Sequence, residues 1–217
     1  MERVPLLKSE LADIMSHYKG HIIGTTACIG GELGSEIIAA EEAEAVRDFA
    51  TSQLHLGKIH NFISFCKDIF DDDFYLECAP STKEDQISVN RRIRKISDAL
   101  GVKVVVGTDA HYLTKAERWV HKAYLNSKDG EREVDDFYEF SRLMDSDEVV
   151  ELLKLAFDDE DYIHQILDNT IEIQNKIETY SLEHKQMIPR VKVPNHIPTD
   201  IYNLLPEQIL NQWGNKW

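Results

Sequence analysis

The stretch VVVGTDAHYL, residues 104–113, decides the reading of the fold. Three consecutive valines mark a strand covered on both faces, because a half-exposed strand would interrupt them with polar residues. The run then breaks at Gly107-Thr108 and turns polar, with Asp109 and His111 two residues apart. Side chains alternate along a strand, so residues i and i+2 face the same way. Asp109 and His111 are therefore expected to project together from the carboxyl end of this strand. A carboxylate beside an imidazole at that point can be a metal site, a catalytic pair or simply a polar strand end.

Upstream, two more segments read as strands. HIIGTTACIG, residues 21–30, is β-branched and runs into Gly30-Gly31. FYLECAP, residues 74–80, is aromatic and apolar, and Pro80 stops it. A long helical stretch over 41–69 separates them and is expected to break near Gly57. After Pro80, Ser81-Thr82-Lys83-Glu84 has the form of a capping box, with Ser81 bonding the N3 amide and Glu84 reaching back. The helix that follows puts Val89, Ile93, Ile96 and Leu100 on one face, and Gly101 is placed to end it in a left-handed conformation. The order strand, helix, strand, helix, strand predicts βαβ units and a parallel sheet. In such folds ligand sites gather at the carboxyl ends of the strands. Beyond Thr114 the chain reads as helical. Asp145 to Glu148 is an N-cap signal, and the acidic run Asp158 to Asp161 suits the start of a helix whose apolar face carries Ile163, Ile166, Thr170, Ile173 and Ile177. Prolines and mixed charge over 180–198 read as a linker, and a short helix is expected around 201–205.

The bulk numbers narrow the function. The chain has 217 residues and a net charge of -15. An acidic surface repels phosphate, so little direct DNA binding is expected without a local basic patch or a partner. Cys28, Cys66 and Cys78 form no CxxC pair and are odd in number, as in a reducing compartment. No signal peptide and no apolar run near the ~20 residues of a membrane span are read, so the cytoplasm is the expected location. G-x-S-x-G, P-loop, GxGxxG and H-E-x-x-H motifs are all absent from the sequence. Cys28, at the end of the first strand, is either a zinc-competent thiolate or a buried small hydrophobe. The remaining histidines, His121 among them, read as core or surface residues. Glu77 reads as a hydrogen-bonded carboxylate with an open role.

The strings TTACIGGEL (25–33), DDDFYLECAP (71–80) and VNRRIRKISDALGVKVVVGTDAHYLTKAERWVHKAYL (89–125), in that order, resemble the PHP (polymerase and histidinol phosphatase) domain of the bacterial DNA polymerase III α subunit, the C-family replicative polymerase. The resemblance continues through FSRLMDSDEVVELL (140–153), DNTIEIQNKIE (168–178), MIPRVKVP (187–194) and IPTDIYNLL (197–205). It implies an α/β fold, a partial PHP-type distorted (β/α)7 barrel with a helical C-terminal extension. Residues 1–125 would be the partial barrel, with strands near 21–28, 74–79 and 102–109. Residues 126–180 would be its helical remainder, and 181–217 a linker and the start of a thumb-like segment.

By the same resemblance, Asp109 and His111 match the family's last D-x-H ligand pair, and Cys28 matches the ligand position in its Cys-(Ile/Leu)-Gly-Gly-Glu segment. Zinc or manganese on a partial site is implied. The family's opening H-x-H strand has no counterpart, since the sequence holds no H-x-H, nor do the palm aspartates. The chain is thus expected to be the C-terminal half of a PHP domain, structural in role and without polymerase or exonuclease activity alone. Its partner would be the remaining polymerase polypeptide or the other half of the barrel, with a second copy of the chain as the alternative. A split gene of the kind a phage genome carries would account for it, as would a truncation or a relic. A free-standing metal-dependent phosphoesterase and a non-catalytic interaction module are the competing readings.

Overall fold

A computed structural model describes residues 6–129 and 138–183. The chain divides into one unit up to Glu178 and a second from Thr179 to Trp217. The linker and thumb-like readings of 181–217 lie almost wholly outside the described residues.

Three parallel strands form the sheet, in the order β1-β2-β3: β1 Gly24–Thr25, β2 Phe74–Cys78 and β3 Val104–Val106. Gly24 stands opposite Phe74, Leu76 opposite Val104 and Cys78 opposite Val106. Helix α1 spans Lys8–His17; α2 Glu32–Ala45 and α3 Phe49–Phe70 connect β1 to β2; and α4 Glu84–Leu100 connects β2 to β3. Then follow α5 Arg118–Asp129, α6 Ser146–Leu153 and α7 Glu160–Lys176. The α/β alternation and the parallel sheet read from the sequence are both present. The strands are shorter than the expected 21–28, 74–79 and 102–109. At β1 the reason is local: Thr26 still pairs through its amide with the Tyr75 carbonyl at 3.2 Å, but Ala27 takes φ 59 and turns the chain away.

β2 is the buried centre, with Phe74, Tyr75, Leu76 and Cys78 all under 5% exposed. One apolar cluster joins Leu76 and Val104 to Leu33 and Ile37 of α2, Ile59 and Ile63 of α3, and Val89 and Ile93 of α4. Leu153 and Ile163 close it from α6 and α7. The apolar face of α7 narrows toward its end: Ile163 and Ile166 are buried, but Ile177 is 57% exposed.

Two helix boundaries differ from expectation. The long helix breaks at Val46 to Asp48 rather than near Gly57. Arg47 takes φ 60, and Asp48 starts α3 by accepting from Thr51 N at 3.1 Å and Thr51 Oγ1 at 2.7 Å. Gly57 lies inside α3; a glycine costs a helix about 1 kcal/mol without ending it. Ser81 does not form a capping box. Its hydroxyl accepts from Lys83 N at 3.0 Å, and Lys83 occupies the N-cap of α4. Gly101 ends α4 in the left-handed region, φ 63 and ψ 35, as expected. Asp145 and Asp159 cap α6 and α7, accepting from Glu148 N at 2.8 Å and Tyr162 N at 3.0 Å.

Two polar groups hold the ends of the sheet. Buried Asn90 on α4 accepts from Ala79 N and Gln86 Nε2 and donates to the Ala79 carbonyl at 2.8 Å. It thereby satisfies the backbone just past β2. At the opposite end, the Tyr75 hydroxyl donates to Glu172 at 2.8 Å and accepts from Lys176 at 2.7 Å. Lys103 reaches the other Glu172 oxygen at 2.5 Å, and Lys176 also holds Asp73 at 2.9 Å. This network ties α7 to the starts of β2 and β3. The Lys103 bond, followed by the Tyr75 bond, draws the Glu172 carboxyl down to about 2.

Asn90→Ala is expected to cost on the order of 2–3 kcal/mol in urea unfolding, because it leaves a buried amide and carbonyl unpaired. Glu172 sets a pH dependence of definite sign. Its folded pKa lies below its unfolded one, so its contribution is complete above about pH 4.5 and is lost as pH falls toward 2. Unfolding measured between pH 5.5 and pH 3 should therefore show a shallower loss of stability in Glu172→Gln than in the wild type.

Candidate site at the carboxyl end of the sheet

The carboxyl ends of the strands bring three loops together: 26–31 after β1, 79–83 after β2 and 107–114 after β3. Glu77 is their fixed point. Its carboxylate accepts from Thr25 Oγ1 at 2.8 Å, and its amide donates to Thr26 Oγ1 at 2.9 Å. It also fills the space over Gly107, where an added Cβ would stand 2.1 Å from Glu77 Oε1. A side chain at residue 107 would have to displace the Glu77 carboxylate, so glycine suits this close approach rather than any special backbone angle. Cys28 lines the same crevice as Glu77, together with Thr26, Ile29 and Gln86. Cys66 and Cys78 are core residues; burial lifts the Cys66 thiol to about 11 and pushes Cys78 higher still.

Asp109 and His111 lie past the end of β3, and Asp109 takes φ 44. The alternation of an extended strand therefore does not orient them, because β3 stops at Val106. The turn brings them together by another route. His111 Nδ1 lies 2.6 Å from the Asp109 carbonyl and 4.0 Å from Asp109 Oδ2. With the Nδ1 proton donated to that carbonyl, Nε2 is left as the ring's lone-pair nitrogen.

A segment that the sequence reading passed over holds this loop in place. His111 N donates to the Ser141 carbonyl at 2.8 Å, Leu143 N donates to the Tyr112 carbonyl at 3.2 Å, and Tyr112 bridges Arg142 in parallel. The Tyr112 hydroxyl is shared between the carbonyls of Tyr138 and Glu139 at 3.0 and 2.7 Å. Arg142, 4% exposed, forks onto both carboxylate oxygens of Glu148 at the start of α6. That bond is the main reason the Glu148 carboxyl sits below its ordinary range.

His121 of α5, read from the sequence as a core or surface residue, packs beside this loop. Its ring centre is 5.1 Å from that of His111 and 6.0 Å from that of Tyr112. Tyr138 packs on both imidazoles, at 4.8 Å from His111 and 4.9 Å from His121. Burial, then the neighbouring imidazole, holds the His121 pKa below the ordinary histidine value. Only its position on a helix, ten residues past His111, was visible in the sequence.

Among the described residues no three His, Cys, Asp or Glu side chains converge on one point, so Cys28 does not complete a metal group with Asp109 and His111. As placed, the trio does not fit one ion. None of the described helices is long and apolar enough to cross a membrane.

No family model matches the chain. Relatives do. Over 196 residues, 90% of its length, the chain is 39% identical to the probable DNA polymerase YorL of Bacillus subtilis. It matches the DNA-directed DNA polymerase of Bacillus phage SPbeta to the same extent. Over 84% of its length it is 26% identical to the DNA polymerase III subunit alpha of Borreliella burgdorferi. The chain spans 15% of the length of each of these relatives. The resemblance to the polymerase III α subunit read from TDAHYL and FYLE is borne out: the chain is a relative of one segment of these polymerases, one of which is a phage protein.

Gly107→Ala is expected to displace the Glu77 carboxylate from Thr25, costing about 1–2 kcal/mol. In a Glu77→Ala background the same substitution should cost much less, since the obstructing carboxylate is gone. A double-mutant cycle by urea unfolding measures that coupling.

Proposed function

We propose that this chain is the PHP-domain portion of a DNA polymerase III α-like replicative polymerase, serving DNA replication in a structural role. The observation that carries the reading is the 39% identity over 90% of this chain, set against the 15% of the relatives that it spans. The remainder of such a polymerase would carry the nucleotidyl-transfer centre and the rest of the barrel, on whichever polypeptide it is encoded.

Two structural features support this. The described sheet is open, with β1 and β3 as its edges, and β1 is only two residues long. Edges of a parallel sheet are normally covered or continued. Among the described residues, the carboxyl pole also holds ligand-type residues without a complete ligand group. In this reading Asp109 and His111 keep the family's D-x-H positions and Cys28 its cysteine position, without sharing one ion as they are placed. The chain's own residues set the stage: Glu77 fixes the loops, Arg142 and Glu148 hold the segment on which His111 is hung, and the Asp109 carbonyl orients the imidazole.

The test is biochemical. The purified chain should incorporate no nucleotides on a primed template and should hydrolyse no phosphomonoester with manganese or zinc. Mixed with a polypeptide carrying the remaining polymerase segments, it should form a complex that survives gel filtration. Phosphomonoester hydrolysis by the chain alone, abolished by His111→Ala, would overturn the structural role in favour of a phosphoesterase.

A further inference from the structure

We propose that the outward face of α5 is a docking surface for an amphipathic helix of the remaining polymerase polypeptide, one that carries acidic side chains along one flank. This rests on the reading of the chain as one segment of a larger polymerase; it adds where the rest of that polymerase takes hold.

Three observations carry it. The first is the orientation of α5. A surface helix ordinarily turns its apolar stripe inward and its polar residues to water. α5 departs from this. Its inner side bears His121, which packs on His111, Tyr112 and Tyr138, with Arg118 and Leu125 half-buried. Its outer side bears Trp119, Val120, Ala123, Tyr124 and Ser127, spaced i, i+1, i+4, i+5 and i+8. All five are exposed and none is charged. Trp119 is 69% exposed, Val120 48% and Tyr124 53%. Single exposed apolar side chains are ordinary, but three large ones within two turns of one helix face make a patch, and such patches mark interaction sites.

The second is charge. Lys115, Arg118 and Lys122 follow one another at i, i+3 and i+7, along one flank of this face. The Lys115 side chain is 76% exposed and lies 3.4 Å from Glu148, a carboxylate that Arg142 already engages. A basic row is a local exception in a chain of net charge -15. It favours an occupant with acidic side chains opposite it.

The third is the length of the relatives. The chain is 39% identical to two polymerases over 90% of its own length but spans 15% of theirs. A segment of such a protein needs a surface against the rest, and a helix laid along an apolar face is a common mode, with tryptophan a frequent anchor. A second copy is the weaker occupant: two copies repel through their net charge, and an antiparallel pairing would set the basic row against itself. Single-stranded nucleic acid is weaker too. Its binding grooves interleave cations with stacking rings, whereas here the cations stand to one side of the rings.

Complex formation with the polypeptide that carries the remaining polymerase segments, read by isothermal titration calorimetry, tests the surface. Trp119→Glu and Val120→Glu should each weaken the complex at least about ten-fold, as the loss of an interface anchor does. Urea unfolding of the free chain should stay as in the wild type, because both side chains are exposed and glutamate suits a helix. Leu54→Glu, at a similarly exposed leucine of α3, should bind as the wild type does. Charge reversal at Lys115 and Lys122 together should weaken binding and flatten its dependence on salt. In the wild-type chain, the Trp119 indole N–H signal should shift on titration with the partner, a reading that needs no variant to fold.

Wild-type affinity in Trp119→Glu and Val120→Glu would overturn the α5 surface and leave the polymerase reading standing. Unchanged affinity after the lysine reversals would overturn the acidic flank. Binding of an oligothymidylate of about sixteen nucleotides, lost in Trp119→Glu, would overturn the partner helix in favour of single-stranded nucleic acid. A dimer of the chain alone that Trp119→Glu dissolves would overturn it in favour of a second copy. No complex with the wild-type chain would remove the polymerase reading and this surface with it.

Discussion

Everything in the structure is placed by the pairing of β2 with neighbours on both sides. A parallel strand between two others must bury both faces, which is why Phe74 to Cys78 carries almost no solvent-exposed surface. Its backbone needs partners along its whole length. Thr26, Lys103 and Gly107 supply them at the ends, and Asn90 supplies them just beyond, at Ala79. Because α2, α3 and α4 each pack on this strand's side chains, the positions of the two loops that follow β1 and β3 are set by β2 as well.

The two ends of the sheet use charge differently. At the starting end, Lys103, Glu172, Tyr75, Lys176 and Asp73 are mutually satisfied, and their work is to hold α7. At the carboxyl end, Glu77 is tied down, and the two imidazoles pack on each other and on Tyr138. Two non-glycine residues, Ala27 and Asp109, take positive φ there. Such backbone costs of order 1 kcal/mol or more each and persists where the surroundings over-determine it. Here the surroundings are the Glu77 anchor on one side and the 138–143 segment on the other.

The acidity of the chain argues against a direct grip on a phosphate backbone. A net charge of -15 opposes phosphate, so DNA contact in a polymerase would fall to other segments.

Much of the scaffold was legible in the residues themselves. The valine run, the FYLE strand and the i, i+4, i+7 face of α4 specify a parallel α/β core, because burial and periodicity are local properties of a sequence. Gly101, Asp145 and Asp159 announced their helix ends for the same reason: a cap is made by a residue and its near neighbours. The break at Asp48 instead of Gly57 was missed because an Asx cap and a tolerated helical glycine compete. Only the energies in the folded chain decide between them. The site was legible to the extent of Asp109, His111 and the similarity to polymerase α subunits. What tertiary structure alone decided is which groups surround them. Arg142 and Glu148 secure the loop from some thirty residues away. Tyr138 and His121 pack against the His111 imidazole, and Cys28 stays beside Glu77. Contacts between segments distant in sequence depend on where the sheet puts them, and no local pattern encodes that.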